Sequence, residues 1–446
     1  MSGSSSSAPQ RLWNGIRGSL WPIPMIGVVI AIALGIGMPA IDGLLEKAEG
    51  GSPLTFAFGG GPSAARDVLA AIAGSLISVT GLTFSLTVVA LQLSSSQYSP
   101  RLLQTFVKDR VVQVTLAQLV ATFVYALTVL RTVRTENASN SDIAFVPRLS
   151  ITVGYLFTLG AVIALVLFLA HLTEVLRVET MLRDVHDEAS DIMDDELDER
   201  GSEESFSLPQ TRARPLPAGK GGFVVGVDHG RLVKAARSLD AVVLIEPRIG
   251  DTVVPGTPIA HVWAPASADL DALQKAIDKG VYLAFERSGA TDIAYGLRKV
   301  VDIAVRALSP GTNDPTTAVH AMSHVSALIG DLSHRSLAAN GVYDDDGKLR
   351  LAVPQWDLSS LVQLAVEEPI VFAEGQPAVL RRIAMLLREL AWRAPAGSVD
   401  DEVRYWIDRV RAVAEGSTEM SGEETGTWRP LVEDALDGLW PARSHP

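Results

Sequence analysis

The chain has no cysteine. A disulfide framework, a thiolate metal site and a cysteine nucleophile are therefore excluded, and the composition suits a reducing compartment. Lysine is scarce as well: of the 38 basic residues only 8 are lysine and 30 are arginine, the bias of a GC-rich bacterial genome. The net charge of −13 leaves no basic surplus for an extended nucleic-acid surface. No Walker loop, dinucleotide fingerprint or Gly-x-Ser-x-Gly elbow occurs. With no acid/base pair, nucleophile or metal cluster at recognisable spacing, the chain reads as a non-enzyme without a cofactor.

Charge is also missing from four long runs in the first 175 residues. The first extends from Trp21 to about Leu45, with Asp42 near its far end; the second begins near Val68. The third covers about Val111–Leu130 and the fourth runs from Leu149 to about Leu172. Each meets the length of about 20 residues that a bilayer core of about 30 Å requires. A buried helix of a globular core needs only about 10–14 apolar residues, so four transmembrane helices are expected. No ionisable side chain lies deep in any span. Ion-coupled pumps usually carry one near the midplane, so a passive pore or a plain anchor fits better than an active transporter.

Arg11 and Arg17 precede the first run, Arg101, Lys108 and Arg110 follow the second, and Arg177 and Arg183 follow the fourth. This bias favours both termini on the cytoplasmic side of a bacterial inner (plasma) membrane. Residues 1–10 are Ser-rich and lack the apolar stretch of a cleaved signal peptide.

The expected fold class is an α-helical polytopic membrane domain of four transmembrane helices plus a cytoplasmic α+β domain, a small β-rich part followed by helices. Residues 1–20 form a disordered, basic N-terminus and 21–173 the membrane domain. Residues 174–200 form an acidic stalk helix. Its seam of Val175, Val178, Leu182, Val185, Ala189 and Ile192 fits either a coiled coil or an amphipathic helix packed on its own C-terminal domain. A linker occupies 201–220, a β-rich subdomain 221–265, a helical subdomain 266–416, and a tail with a short helix 417–446. The β-rich reading rests on Phe223–Val227, Val242–Ile245 and the Gly-Asp and Gly-Thr-Pro turns after Gly250 and Gly256.

The second membrane helix is unusual. No charge occurs from Val68 through Pro100, a length of roughly 50 Å as one helix. On a helical wheel Gly74, Ser78, Gly81, Ser85 and Gln92 share one face, and Thr80, Thr83, Thr87 and Ser94 lie nearly opposite. Small and hydroxyl residues let membrane helices pack closely, which accounts for one face. The other is expected to line a wet path through an oligomer. Gln97, Tyr98, Ser99, Pro100 and Arg101 then make an elbow, with Ser99-Pro100 opening a short amphipathic helix at the inner interface. It reads as an anchor or as a gate.

In the C-terminal half, Asp302 and Arg306 are spaced to pair along a helix that ends at Ser309-Pro310-Gly311. Asn313 or Asp314 then caps the next helix ahead of Pro315. This is either a plain helix-turn-helix corner or a corner that holds a small anionic ligand on exposed N–H groups. His320 and His324 share a helix face as metal ligands can, but without a third ligand no metal is expected. The partners read from sequence are thus the lipid bilayer, further copies of the chain in a homo-oligomer, and a small anion; nucleic acid is not among them.

Two stretches, FSLTVVALQLSSSQYSPRLLQTF (84–106) and VDIAVRALSPGTNDPTTA (301–318), resemble signatures of the predicted-membrane-protein family known as domain of unknown function 2254. The resemblance runs from the first helix to about residue 400. It implies a four-helix membrane region with a cytosolic C-terminal domain and carries over no activity, substrate or catalytic residue. The favoured function is an oligomeric, channel-like pore with a cytoplasmic regulatory domain. The alternative is a membrane-anchored sensor or scaffold whose corner at Arg306–Pro315 binds a small anion or a partner protein.

Overall fold

A computed structural model describes residues 21–48, 58–97, 109–134, 145–175, 177–199, 206–287, 289, 291–337, 340–416 and 419–441. The chain divides into two compact units, residues 6–180 and 181–446.

The first unit is a bundle of α1 (Pro22–Ala48), α2 (Pro62–Gln97), α3 (Arg110–Leu130) and α4 (Arg148–Val175). All four are long and apolar enough to cross a membrane. α3 is the central helix: half of its most apolar stretch is buried, against 17–22% in the others, and it packs on α1, α2 and α4. Small residues allow this. A Cβ on Gly35 would lie 2.7 Å from Thr128, and one on Gly27 would lie 3.3 Å from the Ala117 carbonyl oxygen, so α1 touches α3 almost backbone to backbone. Against α4, α3 presents a polar stripe. Tyr125 donates to the Ser150 carbonyl at 2.9 Å and Gln118 Nε2 to that of Phe157 at 3.2 Å. With no water at that depth, such bonds are held inside the bundle. Asp109 opens α3, its Oδ1 accepting from Val111 N at 2.8 Å.

Asp42, the one charge near the end of the first apolar run, acts across helices. Its carboxylate accepts the Leu149 and Ser150 backbone N–H groups, both at 2.9 Å, and the Ser150 hydroxyl at 2.6 Å. A residue of α1 thus caps the first turn of α4 and satisfies donors that lipid could not.

α5 (Val178–Glu196) leads into the second unit. Residue 177 separates it from α4 as a bend, so the seam from Val175 onward does not run through one continuous helix. Leu182, Val185, Ala189 and Ile192 are buried, and the close partner of Ala189 is Gly296 of this same unit. In the single chain this face of α5 is covered by its own unit.

Two sheets follow. β1 (Arg214–Pro217), β3 (Val242–Ile245), β5 (Pro258–Trp263), β7 (Asn340–Tyr343) and β8 (Leu349–Val353) form one, in the order β1-β5-β3-β8-β7. β2 (Gly222–Val227), β4 (Thr252–Val253) and β6 (Val281–Ala284) form the other, in the order β4-β2-β6. All pairings are antiparallel except β3 with β8, where Val243 pairs Leu351 in parallel register. Helices α6 (His229–Ser238) and α7 (Leu270–Gly280) complete this half, whose core includes Val224, Leu232, Val243, Val262 and Ile277.

The remainder is helical: α8 (Ile293–Ala307), α9 (Pro315–Leu332), α10 (Leu358–Phe372), α11 (Pro377–Arg393), α12 (Asp400–Glu415) and α13 (Gly422–Leu436). Aspartates start α6 through α10 as N-caps, namely Asp228, Asp269, Asp292, Asp314 and Asp357.

The expected division into a β-rich part and a later helical part needs correction. β1 lies inside the expected linker, and the β7–β8 hairpin lies inside the expected helical stretch. β1 carries two prolines and stands at a sheet edge, where a missing N–H costs no ladder bond. β8 is placed by β3, a distant partner that no local pattern announces.

Candidate functional site

The two polar faces of α2 have different surroundings. Thr83 and Thr87 are 1% and 6% exposed, and Thr80 is half-buried. Their hydroxyls donate to the carbonyls one turn back: Thr80 to Leu76 at 2.6 Å, Thr83 to Val79 at 2.8 Å and Thr87 to Thr83 at 2.9 Å. The threonine face is therefore the packed one, its polar groups satisfied along its own helix. Ser94 of that face lies where side chains are outside the described residues.

The opposite face is open. Gly74, Ser78, Gly81, Ser85 and Gln92 are all exposed on the single chain. Beyond its own stretch of helix, a Cβ added at Gly74 or Gly81 would meet nothing within 4 Å among the described residues. Ser78 returns its hydroxyl to the Gly74 carbonyl at 3.2 Å, but the Gln92 amide has no side-chain partner among the described residues. An uncovered amide in a spanning helix is costly in hydrocarbon.

At the start of α3, Asp109 does double work. One oxygen caps α3 and the other lies 2.6 Å from His171 Nε2 on α4. Thr87, Ala90, Val112, Phe168 and Leu172 wall a shallow cleft beside this pair. Sequence reasoning did not single out either residue. Asp109 directly before the third apolar run was a legible cap signal, whereas its link to His171 depends on how α3 and α4 pack. Of the elbow, Tyr98, Ser99, Pro100 and Arg101 lie outside the described residues, as does the side chain of Gln97, the last residue of α2.

The corner at 302–314 is built largely from its own bonds. Asp302 is buried and receives Arg298 Nε at 2.7 Å, while the other two nitrogens of Arg298 grip Glu368 at 2.8 and 2.6 Å. The Ser309 hydroxyl donates to the Arg306 carbonyl at 2.7 Å. Asn313 takes a positive φ of 47° and accepts from Gln376 at 3.0 Å. Asp314 caps α9, accepting Thr317 N at 3.0 Å and its hydroxyl at 2.6 Å, and these bonds hold its carboxyl below the ordinary range. The helix start where an anion would sit is filled by this carboxylate. Arg306 is exposed.

His320 is exposed, while His324 is half-buried against His186 of α5, ring centroids 5.0 Å apart and edge to face. No group of three metal-ligating side chains occurs among the described residues. A buried ionic layer holds the other side of α5. Lys299, 4% exposed, donates to Glu188 at 2.6 Å. Beside it Asp292, 1% exposed, caps α8 and takes Arg287 Nε at 2.5 Å; burial nonetheless pushes its carboxyl above the usual range.

Most of the chain resembles known proteins. Uncharacterized proteins of Mycobacterium bovis and of two strains of Mycobacterium tuberculosis are each 31% identical to it over 384 residues, covering 84% of this chain and 72% of theirs. None of these names states an activity, and no solved structure matches the chain. The predicted membrane protein family known as domain of unknown function 2254 matches residues 17–389. With that span, four helices able to cross a membrane and a mixed helical unit containing sheet, the chain belongs to this family.

Proposed function

We propose that the protein is an oligomeric, channel-like pore in which α2 faces a water-filled path and the C-terminal unit regulates it from the cytoplasm. The supporting observation is the open face of α2, with Gln92 and Ser85 uncovered and Gly74 and Gly81 leaving room for close approach. A helix whose second polar face is already packed inside its own bundle needs protein or water, not lipid, against the first. The lack of ionisable groups deep in the spans supports passive conduction. The arginines flanking the first and fourth runs support both termini on the cytoplasmic side of a bacterial plasma membrane.

Purified full-length protein in proteoliposomes tests the reading. Ion flux above that of empty vesicles, reduced by Gln92→Leu, supports it. Flux that never exceeds empty vesicles, across pH, voltage and membrane tension, overturns it.

A further inference from the structure

α5 follows the membrane helix α4 after residues 176 and 177 and is seated on the C-terminal unit by several ties. Gly296 of α8 receives Ala189 so closely that an added Cβ would lie 2.8 Å from the Ala189 Cβ. Two ties are carboxylate–cation pairs, Glu188 with Lys299 and Asp194 with Arg335. Another tie differs in kind. It joins two histidines, His186 of α5 and His324 of α9, at a centroid separation of 5.0 Å.

Histidine is the side chain whose charge ordinarily changes near neutral pH. Two neutral imidazoles pack edge to face without penalty, whereas two imidazolium ions at this distance repel. The surroundings sharpen the difference. His186 Nδ1 is buried and has no hydrogen-bond partner among the described residues, so a proton placed there would create a buried donor without an acceptor. Arg183 on α5 and His320 on α9 add positive charge near His324, and Asp187 on α5 opposes them. Burial, then the His186 and His320 rings, hold His324 below the ordinary histidine value.

We propose that the contact of His186 with His324 is a proton-sensitive latch, which loosens α5 from α9 as the pH falls below neutrality. A depressed folded-state value means that the neutral form favours docking. The contribution is full above the ordinary histidine range and is lost as pH falls through it. Because α5 continues from α4 in the chain, the latch sets how firmly the second unit holds the segment leading out of the membrane bundle. The proposal is independent of whether the bundle conducts.

The absence of cysteine allows clean labelling. Spin labels on Asp191→Cys of α5 and Thr316→Cys of α9, both exposed sites, report the separation in full-length protein in detergent. At about pH 8 one narrow distance distribution is expected; at about pH 5.5 a longer component should appear. Introducing His186→Gln or His324→Gln separately should keep the narrow distribution at both pH values. An unchanged distribution in the labelled parent overturns the latch, as does an equal longer component in both glutamine variants. If His324→Gln fails to fold by circular dichroism, His186→Gln alone decides.

Discussion

Asp42 and Ser150 hold α1 to the start of α4 through three hydrogen bonds between one carboxylate and two consecutive residues, including a 2.6 Å contact with the Ser150 hydroxyl. This explains why an acidic residue interrupts the first apolar run. Asp42→Ala leaves backbone donors of α4 unpaired and should destabilise the bundle by about 1–3 kcal/mol. Ser150→Ala, which removes only the hydroxyl bond, should cost less. Thermal unfolding in detergent ranks the variants; equal stability of Asp42→Ala and the parent would contradict the capping role.

Replacing glycine by alanine inside a helix normally stabilises by about 1 kcal/mol. Gly296→Ala should do the reverse. Its new Cβ would meet the Ala189 Cβ at 2.8 Å, and overpacking of this kind costs about 1–3 kcal/mol. Ala189→Gly makes room for it. A double-mutant cycle on denaturant unfolding should therefore show a favourable coupling of about 1 kcal/mol between the two changes; additive effects would mean that the helices shift apart freely.

Gly81→Leu probes the open face of α2 in the opposite sense. Beyond its own stretch of helix, no atom of the described residues lies within 4 Å of the added Cβ. The variant should keep or slightly raise protomer stability, since leucine is the better helix former by up to about 1 kcal/mol. Light scattering in detergent should nevertheless show a smaller assembly. An unaltered oligomeric mass would remove this face from any contact between copies.

Asp344 supplies a pH prediction outside the membrane bundle. The hydrogen bond from Arg350, with help from backbone N–H groups of Lys348 and Asp346, lowers its carboxyl from 3.8 to about 2. A depressed folded-state value means that its stabilisation is present above the unfolded value and is lost as pH falls from about 4 toward 2. Asp344→Asn should flatten that part of the acid limb in a stability-against-pH series while leaving its slope near neutrality unchanged. An acid limb identical to the parent's would show that Arg350 holds its place by other means, including its 2.9 Å bond to Asp240.

The four membrane helices were legible because each run is long, apolar and uncharged, a property local to its own residues. A cap at Asn313 or Asp314 was legible for the same reason, since a capping side chain acts within one turn, and it is Asp314 that accepts the Thr317 N–H. What sequence could not decide was which neighbour each face meets. Thr83 and Gln92 both read as polar positions on α2, and only the placement of the other helices makes one buried and the other open. The position of α3 at the centre was likewise hidden, although its recurring Thr115, Gln118, Thr122 and Tyr125 carried a periodic hint. The approach of His186 to His324 joins residues far apart in the chain and could not be read from either neighbourhood.

The parallel pairing of Val243 with Leu351 has a consequence for synthesis. The central strand of the larger sheet waits for a partner that leaves the ribosome roughly a hundred residues later, and such distant pairings form slowly. Until β8 arrives, β3 presents an open edge able to accept a strand from another nascent chain. A fragment ending at residue 265 would keep that edge permanently, so useful truncations should retain the chain through Val353.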